Sequence, residues 1–205
     1  MSEKAMTITY PVKNGIYVNM TNRCDCACTF CLRYNASGVY GSDPLWLERE
    51  PSVEEVIDSL KQWKLEEKSE VVFCGYGEPT ERLEDLLKVA AWIKENTAVP
   101  VRINTNGLSD LLYEKDTAYM LEGKIDTVSV SLNANTAEDY NRLCRPKFGL
   151  KSYEAMLKFT KDCTKYVPNV VMTVVDKVTT PEEQEVAKTI AESCGAKLRV
   201  RPFEE

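Results

Sequence analysis

The sequence predicts an α/β protein: a partial (β/α)6 barrel of the TIM type, with an open parallel sheet and helices outside. Strand-like and helix-like patterns alternate along all 205 residues, which is typical of a parallel sheet. The strand patterns number six, whereas a closed barrel needs eight strand–helix pairs. The length, with 43% hydrophobic and 28% charged residues, suits one compact core. We therefore predict a single domain over residues 1–205.

The predicted strands are short runs rich in β-branched residues. They are Ile16–Met20, Glu70–Cys74, Val101–Asn104, Thr127–Leu132, Asn169–Val175 and Lys197–Arg201. In such folds the functional groups lie at the C-terminal ends of the strands and in the loops that follow them. We therefore expect the site after the first few strands.

Helix start signals separate these strands. Ser52 and Glu55 form a capping box before one apolar stripe at helical spacing, and Thr180 and Glu183 form another. Gly195 suits the position just after the second of these helices. A further stripe predicts a helix between the second and third strands, with apolar residues at Leu83, Leu86, Leu87, Ala90 and Ile93.

Composition excludes several classes of function. The chain has no histidine, which excludes Ser-His-Asp and Cys-His nucleophile schemes and the usual zinc-hydrolase ligand sets. Its formal net charge of −6, without a basic block, argues against binding to nucleic-acid backbones. There is no membrane-spanning apolar run and no signal-peptide core at the N-terminus, so we expect no membrane association and a cytoplasmic location.

The loop after the first strand carries closely spaced thiols in the pattern Cys24-x3-Cys28-x2-Cys31. In a reducing compartment, such spacing favours a soft-metal site over disulfides. Spacing alone leaves an iron-sulfur cluster and a zinc ion both open. Three ligands on a 4Fe-4S cluster would leave one iron open to a ligand from outside the protein.

The remaining cysteines have other predicted roles. Cys26 lies inside the loop but is not required by the three-cysteine pattern; it is either inert or a competitor for iron. Cys74, Cys144, Cys163 and Cys194 stand singly in strand or helix patterns, and we predict that they are buried core thiols.

The second predicted strand ends in the turn Gly75-Tyr76-Gly77-Glu78-Pro79. Its glycines permit close approach of the backbone to a ligand. Exposed main-chain atoms can then hold the amino group of that ligand. Glu78 adds a carboxylate that can orient or pair with a cation. The alternative is a simple strand-to-helix connection in which Thr80 caps the next helix.

Polar side chains follow one face of the third and fourth strands. Ser129, Ser131 and Asn133 alternate with apolar residues, and Asn104 and Asn106 do so on the preceding strand. If buried, such groups need partners, which a bound ribose and carboxylate would supply. The alternative is that Asn106 only begins a turn and that the serines face solvent.

The last predicted strand places Lys197, Arg199 and Arg201 on one face. Such a basic row can hold a carboxylate of a cofactor or substrate. Charges that protect an edge strand from aggregation explain it equally well.

These motifs together resemble the radical S-adenosylmethionine (radical SAM) superfamily. The three-cysteine loop with Phe30 before its last cysteine is similar to the family's cluster loop, and Gly75-Tyr76-Gly77-Glu78 is similar to its methionine-binding motif. The resemblance covers essentially the whole chain. More narrowly, the chain resembles the small radical SAM proteins associated with TatD-type hydrolases in anaerobic bacteria, through the strings NRCDCACTFC, LWLEREP, FCGYGEPTERL, RINTNG and VSVSLNA.

The resemblance implies a role for each matching residue. Three cysteines would ligate a 4Fe-4S cluster: Cys24, Cys28 and Cys31. The remaining matched positions would contact S-adenosylmethionine: Phe30 at the adenine, Gly75, Tyr76 and Gly77 at the methionine amine with Glu78 nearby, and Asn104, Asn106, Ser131 and Asn133 through their polar side chains.

The resemblance also implies the chemistry. The reduced cluster would cleave S-adenosylmethionine to methionine and a 5'-deoxyadenosyl radical, which abstracts hydrogen from a substrate. A low-potential donor of the flavodoxin or ferredoxin type would supply the electron, and any TatD-type hydrolase would be a separate partner. Two alternatives stay open: an activase that installs a glycyl radical on another protein, and a non-catalytic iron-sulfur or zinc module. The segment Asp43–Glu50 is a further candidate for substrate contact through Trp46 and Arg49, although core packing and a surface position are their ordinary roles.

Overall fold

The computed structural model describes residues 4–34, 38–39 and 41–202, and it divides the chain into two compact units. The first unit comprises the described residues of Met1–Cys24, Leu32–Asn104 and Lys124–Asp126. The second comprises those of Asp25–Cys31, Thr105–Gly123 and Thr127–Glu205. Both units are built from parallel strands and helices, as the sequence predicts.

The first unit contains a mainly parallel sheet. The strands of this unit are β1 (Lys4–Ala5), β2 (Thr9–Val12), β3 (Gly15–Val18), β4 (Trp46–Leu47), β5 (Val71–Phe73) and β6 (Val101–Thr105). The last residue of β6 belongs to the second unit. Within the main sheet, β2 is antiparallel to β3, and β3, β5 and β6 run parallel in that order. The short strands β1 and β4 pair separately, in parallel. The C-terminal ends of β3, β5 and β6 therefore meet at one edge.

Two helices cover this sheet: α1 (Val53–Leu60) and α2 (Leu83–Asn96). The Ser52–Glu55 capping box is present at the start of α1, as predicted. The apolar stripe of α2 is buried, with Leu86, Ala90 and Ile93 fully inaccessible to solvent. Short 3-10 helices occupy Leu32–Tyr34, Leu65–Glu67 and Pro79–Arg82.

The second unit contains three parallel strands, in the order β7 (Thr127–Ser131), β8 (Asn169–Val175) and β9 (Lys197–Arg201). Its helices are α3 (Ser109–Tyr113), α4 (Ala137–Cys144), α5 (Lys151–Cys163) and α6 (Pro181–Ser193), with a 3-10 helix at Ala118–Leu121. The predicted Thr180–Glu183 capping box starts α6. Gly195 follows its C-cap with a φ of +76°, in the left-handed region that favours glycine.

All six predicted strands are present, and β8 and β9 have the predicted bounds. Sequence patterns missed β1, β2 and β4. Two of these have two residues each, too few to show a period, and β2 is an antiparallel strand that contains Pro11. The single-domain assignment stays a prediction. In the described part of the chain, every helix is too short or too polar to span a bilayer.

Candidate functional site

In the first unit, Gly77 packs against the chain that leads into the cysteine loop. A Cβ atom on Gly77 would lie 2.2 Å from the Thr21 carbonyl oxygen and 2.6 Å from that of Arg23. The next amide, that of Glu78, donates to the Arg23 carbonyl oxygen at 2.8 Å. The turn after β5 therefore positions the residue immediately before Cys24, and the main chain of the protein by itself requires glycine at position 77.

Gly75 packs equally closely against Asn19, which is fully buried. A Cβ at Gly75 would lie 2.1 Å from the Asn19 Oδ1 atom. The Asn19 amide nitrogen donates to the carbonyl oxygens of Thr7 and Leu45, at 3.2 and 2.8 Å. Asn19 thus links β3 to two neighbouring segments, and Gly75 leaves room for it.

Glu78 is 4% exposed and caps the short helix that follows it. Its Oε1 atom accepts hydrogen bonds from the Thr80 amide at 3.1 Å and from the Thr80 hydroxyl at 2.7 Å. The assignment of the cap to Thr80 was therefore wrong: Glu78 is the N-cap residue, and Thr80 is its donor. A carboxylate held in this way has a fixed orientation.

The side chain of Tyr76 belongs to the core of the first unit. It packs edge-on against Trp46, with ring centroids 5.6 Å apart, beside Tyr10 and Leu45. Arg49 pairs with a helix residue, Glu55 (Nη2–Oε1, 2.5 Å). Trp46 and Arg49 therefore take their ordinary packing and surface roles, and a ligand would meet only the main chain of Tyr76.

Asn104, at the end of β6, is oriented by a buried cation. Its Oδ1 atom accepts a hydrogen bond from Arg102 at 2.8 Å, and Arg102 makes two further bonds to the carboxylate of Glu70 at 2.7 and 2.8 Å. Burial alone would lower the pKa of Arg102, but Glu70 outweighs this effect and raises it. The Arg102 contact fixes which end of the Asn104 amide is the donor.

In the second unit, the cysteine loop lies along the end of α4 and the residues after it. The amides of Ala27 and Thr29 donate to the carbonyl oxygens of Cys144 and Leu143 at 3.0 and 2.9 Å. The Lys147 amide donates to the Asp25 carbonyl oxygen at 2.8 Å. These main-chain bonds hold the loop in place on both sides of Cys26.

The four cysteines of the loop differ in burial. Cys24, Cys28 and Cys31 are partly exposed, whereas Cys26 is 5% exposed. The Cys26 sulfur accepts a hydrogen bond from the Asn106 amide nitrogen at 3.7 Å, and it is also hydrogen-bonded to the Tyr140 hydroxyl. The sequence left the role of Cys26 open; the structure turns it inward, away from solvent.

Tyr140 and Cys144 are buried beside Cys26 and Asn106, and the four residues form one buried cluster. Burial raises the pKa of Tyr140, and the nearby thiols of Cys26, Cys144 and Cys28 raise it further. The phenol therefore stays protonated and can donate to sulfur. Sequence reasoning missed Tyr140, because an aromatic residue on an amphipathic helix looks like any core residue.

Asn106 is buried and turns the chain after β6. Its Oδ1 atom accepts from the Leu108 amide at 2.9 Å, and Gly107 has a φ of +76°. The turn alternative is therefore right about the local conformation. The Asn106 side chain is 9% exposed, and the alternative that the serines face solvent is wrong for Ser129, which is 5% exposed.

Asn133 has the feature that most clearly points to a ligand. It follows β7 with a φ of +59°, which is unusual for a residue with a side chain. Its amide nitrogen donates to the Cys144 sulfur at 3.5 Å, while its buried Oδ1 atom has no hydrogen-bond partner among the described residues. A buried carbonyl oxygen in this state needs a donor, which a bound molecule can supply.

The remaining predicted positions are less distinctive. Ser131 is partly exposed at the end of β7, and Phe30 is partly exposed in the loop. Cys144, Cys163 and Cys194 are buried as predicted, but Cys74 is only partly buried. The predicted site residues are divided between the two units. The first unit contains Cys24, the Gly75–Glu78 turn and Asn104, and the second contains Cys28, Phe30, Cys31, Asn106, Ser131 and Asn133.

The residues fit the groups that the motifs imply. Partly exposed thiols at three positions are suitable ligands for an iron-sulfur cluster. The Asn133 oxygen offers an acceptor to a polar cofactor. The donor set therefore agrees with a 4Fe-4S cluster and S-adenosylmethionine.

Comparisons with solved structures show the same fold. The chain is 15% identical to TYW1 with a lysine-pyruvate adduct bound, with a TM-score of 0.64, covering 94% of this chain and 65% of that one. A radical SAM methyltransferase from Sphaerobacter thermophilus is 16% identical, with a TM-score of 0.62 and coverage of 95% and 57%. SuiB from Streptococcus suis, bound to S-adenosylmethionine, is 18% identical, with a TM-score of 0.66 and coverage of 92% and 38%. The chain thus spans between about two fifths and two thirds of the length of these proteins.

No curated protein matches the chain significantly. The model of the Radical SAM superfamily matches residues 18–190, which include residues of both compact units. Members of this superfamily use a 4Fe-4S cluster and S-adenosylmethionine. The match covers far more than half of the sequence, and it includes the three-cysteine loop and the turn after β5. The chain therefore belongs to the radical SAM superfamily.

Proposed function

We propose that the protein is a radical SAM enzyme that uses S-adenosylmethionine to abstract hydrogen from a substrate. The observation that carries the proposal is the division among the loop cysteines. Cys24, Cys28 and Cys31 are accessible, whereas Cys26 is buried against Asn106. Three protein ligands on a four-iron cluster leave one iron for the cofactor.

A 4Fe-4S cluster held by Cys24, Cys28 and Cys31 would supply the electron for reductive cleavage of S-adenosylmethionine to methionine and a 5'-deoxyadenosyl radical, the species that would abstract hydrogen from the substrate. Thiolate-ligated clusters reach potentials down to about −700 mV, so this reduction is accessible. The protein itself binds and orients the cofactor and excludes water. No proton relay is required, which agrees with the absence of histidine.

Individual residues have distinct tasks in this proposal. The main chain of Gly75, Tyr76 and Gly77 holds the methionine amine, and Glu78 is nearby with its carboxylate oriented by Thr80. The cofactor also contacts the side chains at the strand ends and the loop, namely Phe30, Asn104, Asn106, Ser131 and Asn133. Of these, the unsatisfied Asn133 oxygen gives the strongest support.

The proposal is tested by anaerobic reconstitution with iron and sulfide, followed by dithionite and S-adenosylmethionine. We expect 5'-deoxyadenosine, measured by liquid chromatography and mass spectrometry. Cys28→Ala is expected to reduce its formation by at least about 100-fold, because one ligand is lost. Cys163→Ala, which removes a buried thiol elsewhere, is the matched control and should retain most activity. A reconstituted wild-type protein that forms no 5'-deoxyadenosine would refute the proposal, and zinc at full occupancy would favour the metal-module alternative.

We also propose, from the quoted sequence strings, that the chain belongs to the TatD-associated group of anaerobic bacteria, acts in the cytoplasm and receives electrons from a flavodoxin or ferredoxin. A flavodoxin with its reductase should replace dithionite in the assay. Co-purification of a TatD-type hydrolase from the native host would support the partnership; its absence under anaerobic conditions would count against it.

A further inference from the structure

The three strands of the second unit are in common register, and β7 and β9 each place polar side chains on the same face of the sheet. Residues that pair across a parallel sheet point to the same side. Ser131 pairs with Thr173, and Thr173 pairs with Arg199. These three side chains therefore form one row across the sheet, from the predicted cofactor contact on β7 to the last strand.

The opposite face of β7 and β8 carries buried apolar residues. Val128 and Val130 of β7 and Met172 and Val174 of β8 lie on this opposite face and are fully buried. Leu198 is their register partner on β9, next to Met172. The row of Ser131, Thr173 and Arg199 thus lies on the other face of the sheet from these apolar residues.

All three basic residues of β9 lie on the face that carries Ser131 and Thr173. Lys197, Arg199 and Arg201 pair with Val171, Thr173 and Val175, every second residue of β8. Lys197 and Arg199 are exposed, and neither makes an ion pair with any of the described residues. Three cations in line are unexpected in a chain with a net charge of −6.

Protection of a sheet edge does not by itself require this arrangement. Charges that prevent strand pairing act at either face of an edge strand. Here the basic residues occupy only the face of Ser131, and Arg199 lies level with it, two strands away. Strands are about 4.8 Å apart and alternate residues about 6.7 Å apart, so the row lies within reach of a small molecule held near Ser131.

We propose that Lys197, Arg199 and Arg201 bind an anionic group, carboxylate or phosphate, of the substrate. Arginine and lysine side chains make charge-assisted hydrogen bonds to both groups. Because Arg199 is level with Ser131, it is the central residue of the row. This assignment rests on the proposed function, since it places the substrate on the face that carries the predicted cofactor contact.

The test measures binding of two ligands to the reconstituted protein by equilibrium dialysis: radiolabelled inorganic phosphate as the anion probe, and S-adenosylmethionine. We expect Arg199→Met to raise the Kd for phosphate at least about tenfold, the loss expected for a charged hydrogen bond. The Kd for S-adenosylmethionine should stay within about twofold. Arg199→Lys should retain most phosphate binding, because it keeps the charge.

Lys188→Met is the matched control, since it removes an exposed positive charge from α6 in the same unit. It should change neither Kd. An equal loss of S-adenosylmethionine binding in Arg199→Met would assign the row to the cofactor's carboxylate and overturn the proposal. Unchanged binding of both ligands in Arg199→Met and Lys197→Met would also overturn it. So would a wild-type protein without saturable binding of phosphate up to about 10 mM. Anion binding is measured without turnover, so its failure is distinguishable from a failure to form 5'-deoxyadenosine.

Discussion

At the scale of single residues, the environment of each thiol separates cysteines that look alike in the sequence. Cys26 lies midway between two predicted ligands, but its sulfur is buried and accepts a hydrogen bond from Asn106. Cys28, two residues further along the chain, is partly exposed. The hydrogen bonds to Cys26 therefore anchor the loop and leave the neighbouring thiols available for iron.

This difference leads to a prediction for Cys26→Ala. We expect the reconstituted variant to keep about four irons per chain, because the lost thiol is not a ligand. The loop should open more often: loss of its buried hydrogen bonds, about 1 kcal/mol, predicts about fivefold faster hydrogen exchange at the Ala27 and Thr29 amides in the apo protein.

Cys28→Ala provides the comparison, with a loss of iron and sulfide and little change in amide exchange before reconstitution. Iron analysis and exchange mass spectrometry measure the two effects separately. A loss of iron in Cys26→Ala as large as that in Cys28→Ala would show that Cys26 is a ligand.

At the scale of elements, a single arginine connects three segments of the first unit. Arg82, just before α2, donates to the carbonyl oxygens of Met20 and Pro51 at 3.1 and 2.6 Å. Its Nε and Nη2 atoms donate to Asp85, in the first turn of α2, at 3.2 and 2.7 Å. The segment after β3 is thereby fixed relative to α2, which positions the chain that leads to the cysteine loop.

The Arg82–Asp85 pair predicts a pH dependence of stability. The hydrogen bond from Arg82 lowers the pKa of Asp85 below its usual 3.8. The carboxylate therefore stabilises the fold above pH 4, and this contribution is lost as the pH falls through the folded-state pKa. Asp85→Asn should lower the free energy of unfolding by about 1 kcal/mol at pH 7 and by less at pH 3.

Urea unfolding at pH 7 and pH 3 measures this difference. Asp58→Asn is the control: Asp58 makes an exposed ion pair with Lys61, and such pairs contribute little. An Asp85→Asn variant that loses as much stability at pH 3 as at pH 7 would show that the ionised carboxylate is not responsible.

At the scale of the whole molecule, the family match and the two compact units bear on the predicted single domain. The match runs over residues 18–190, through segments of both units. The strand β6 is divided between them, with Asn104 in the first and Thr105 in the second. A single domain is expected to unfold in one cooperative transition.

We therefore predict that both units unfold in one transition. All three tryptophans, Trp46, Trp63 and Trp92, lie in the first unit, and the buried thiol of Cys163 lies in the second. Tryptophan fluorescence and the rate of Cys163 alkylation, measured by mass spectrometry across a urea series, should give the same midpoint within about 0.2 M. Two separate midpoints would show that the single-domain prediction is wrong.

The sequence by itself determined the order of the elements and the position of the motifs within them. Local periodicity and capping residues predicted six parallel strands and the helices α1, α2 and α6, because these signals depend on near neighbours along the chain. The three-cysteine loop and the turn after β5 were visible as spacing. The alternation of residue types also predicted which residues share a face with Ser131 on the fourth predicted strand and with Arg199 on the last one.

Only the tertiary structure decided which of these groups share an environment. It showed that Cys26 is turned inward, that Gly77 makes room for the main chain before Cys24, and that Asn133 keeps an unsatisfied oxygen. It also aligned Arg199 with Ser131 through the register of β8. These properties depend on contacts between residues far apart in the chain, and no local pattern encodes burial, register or the partner of a hydrogen bond.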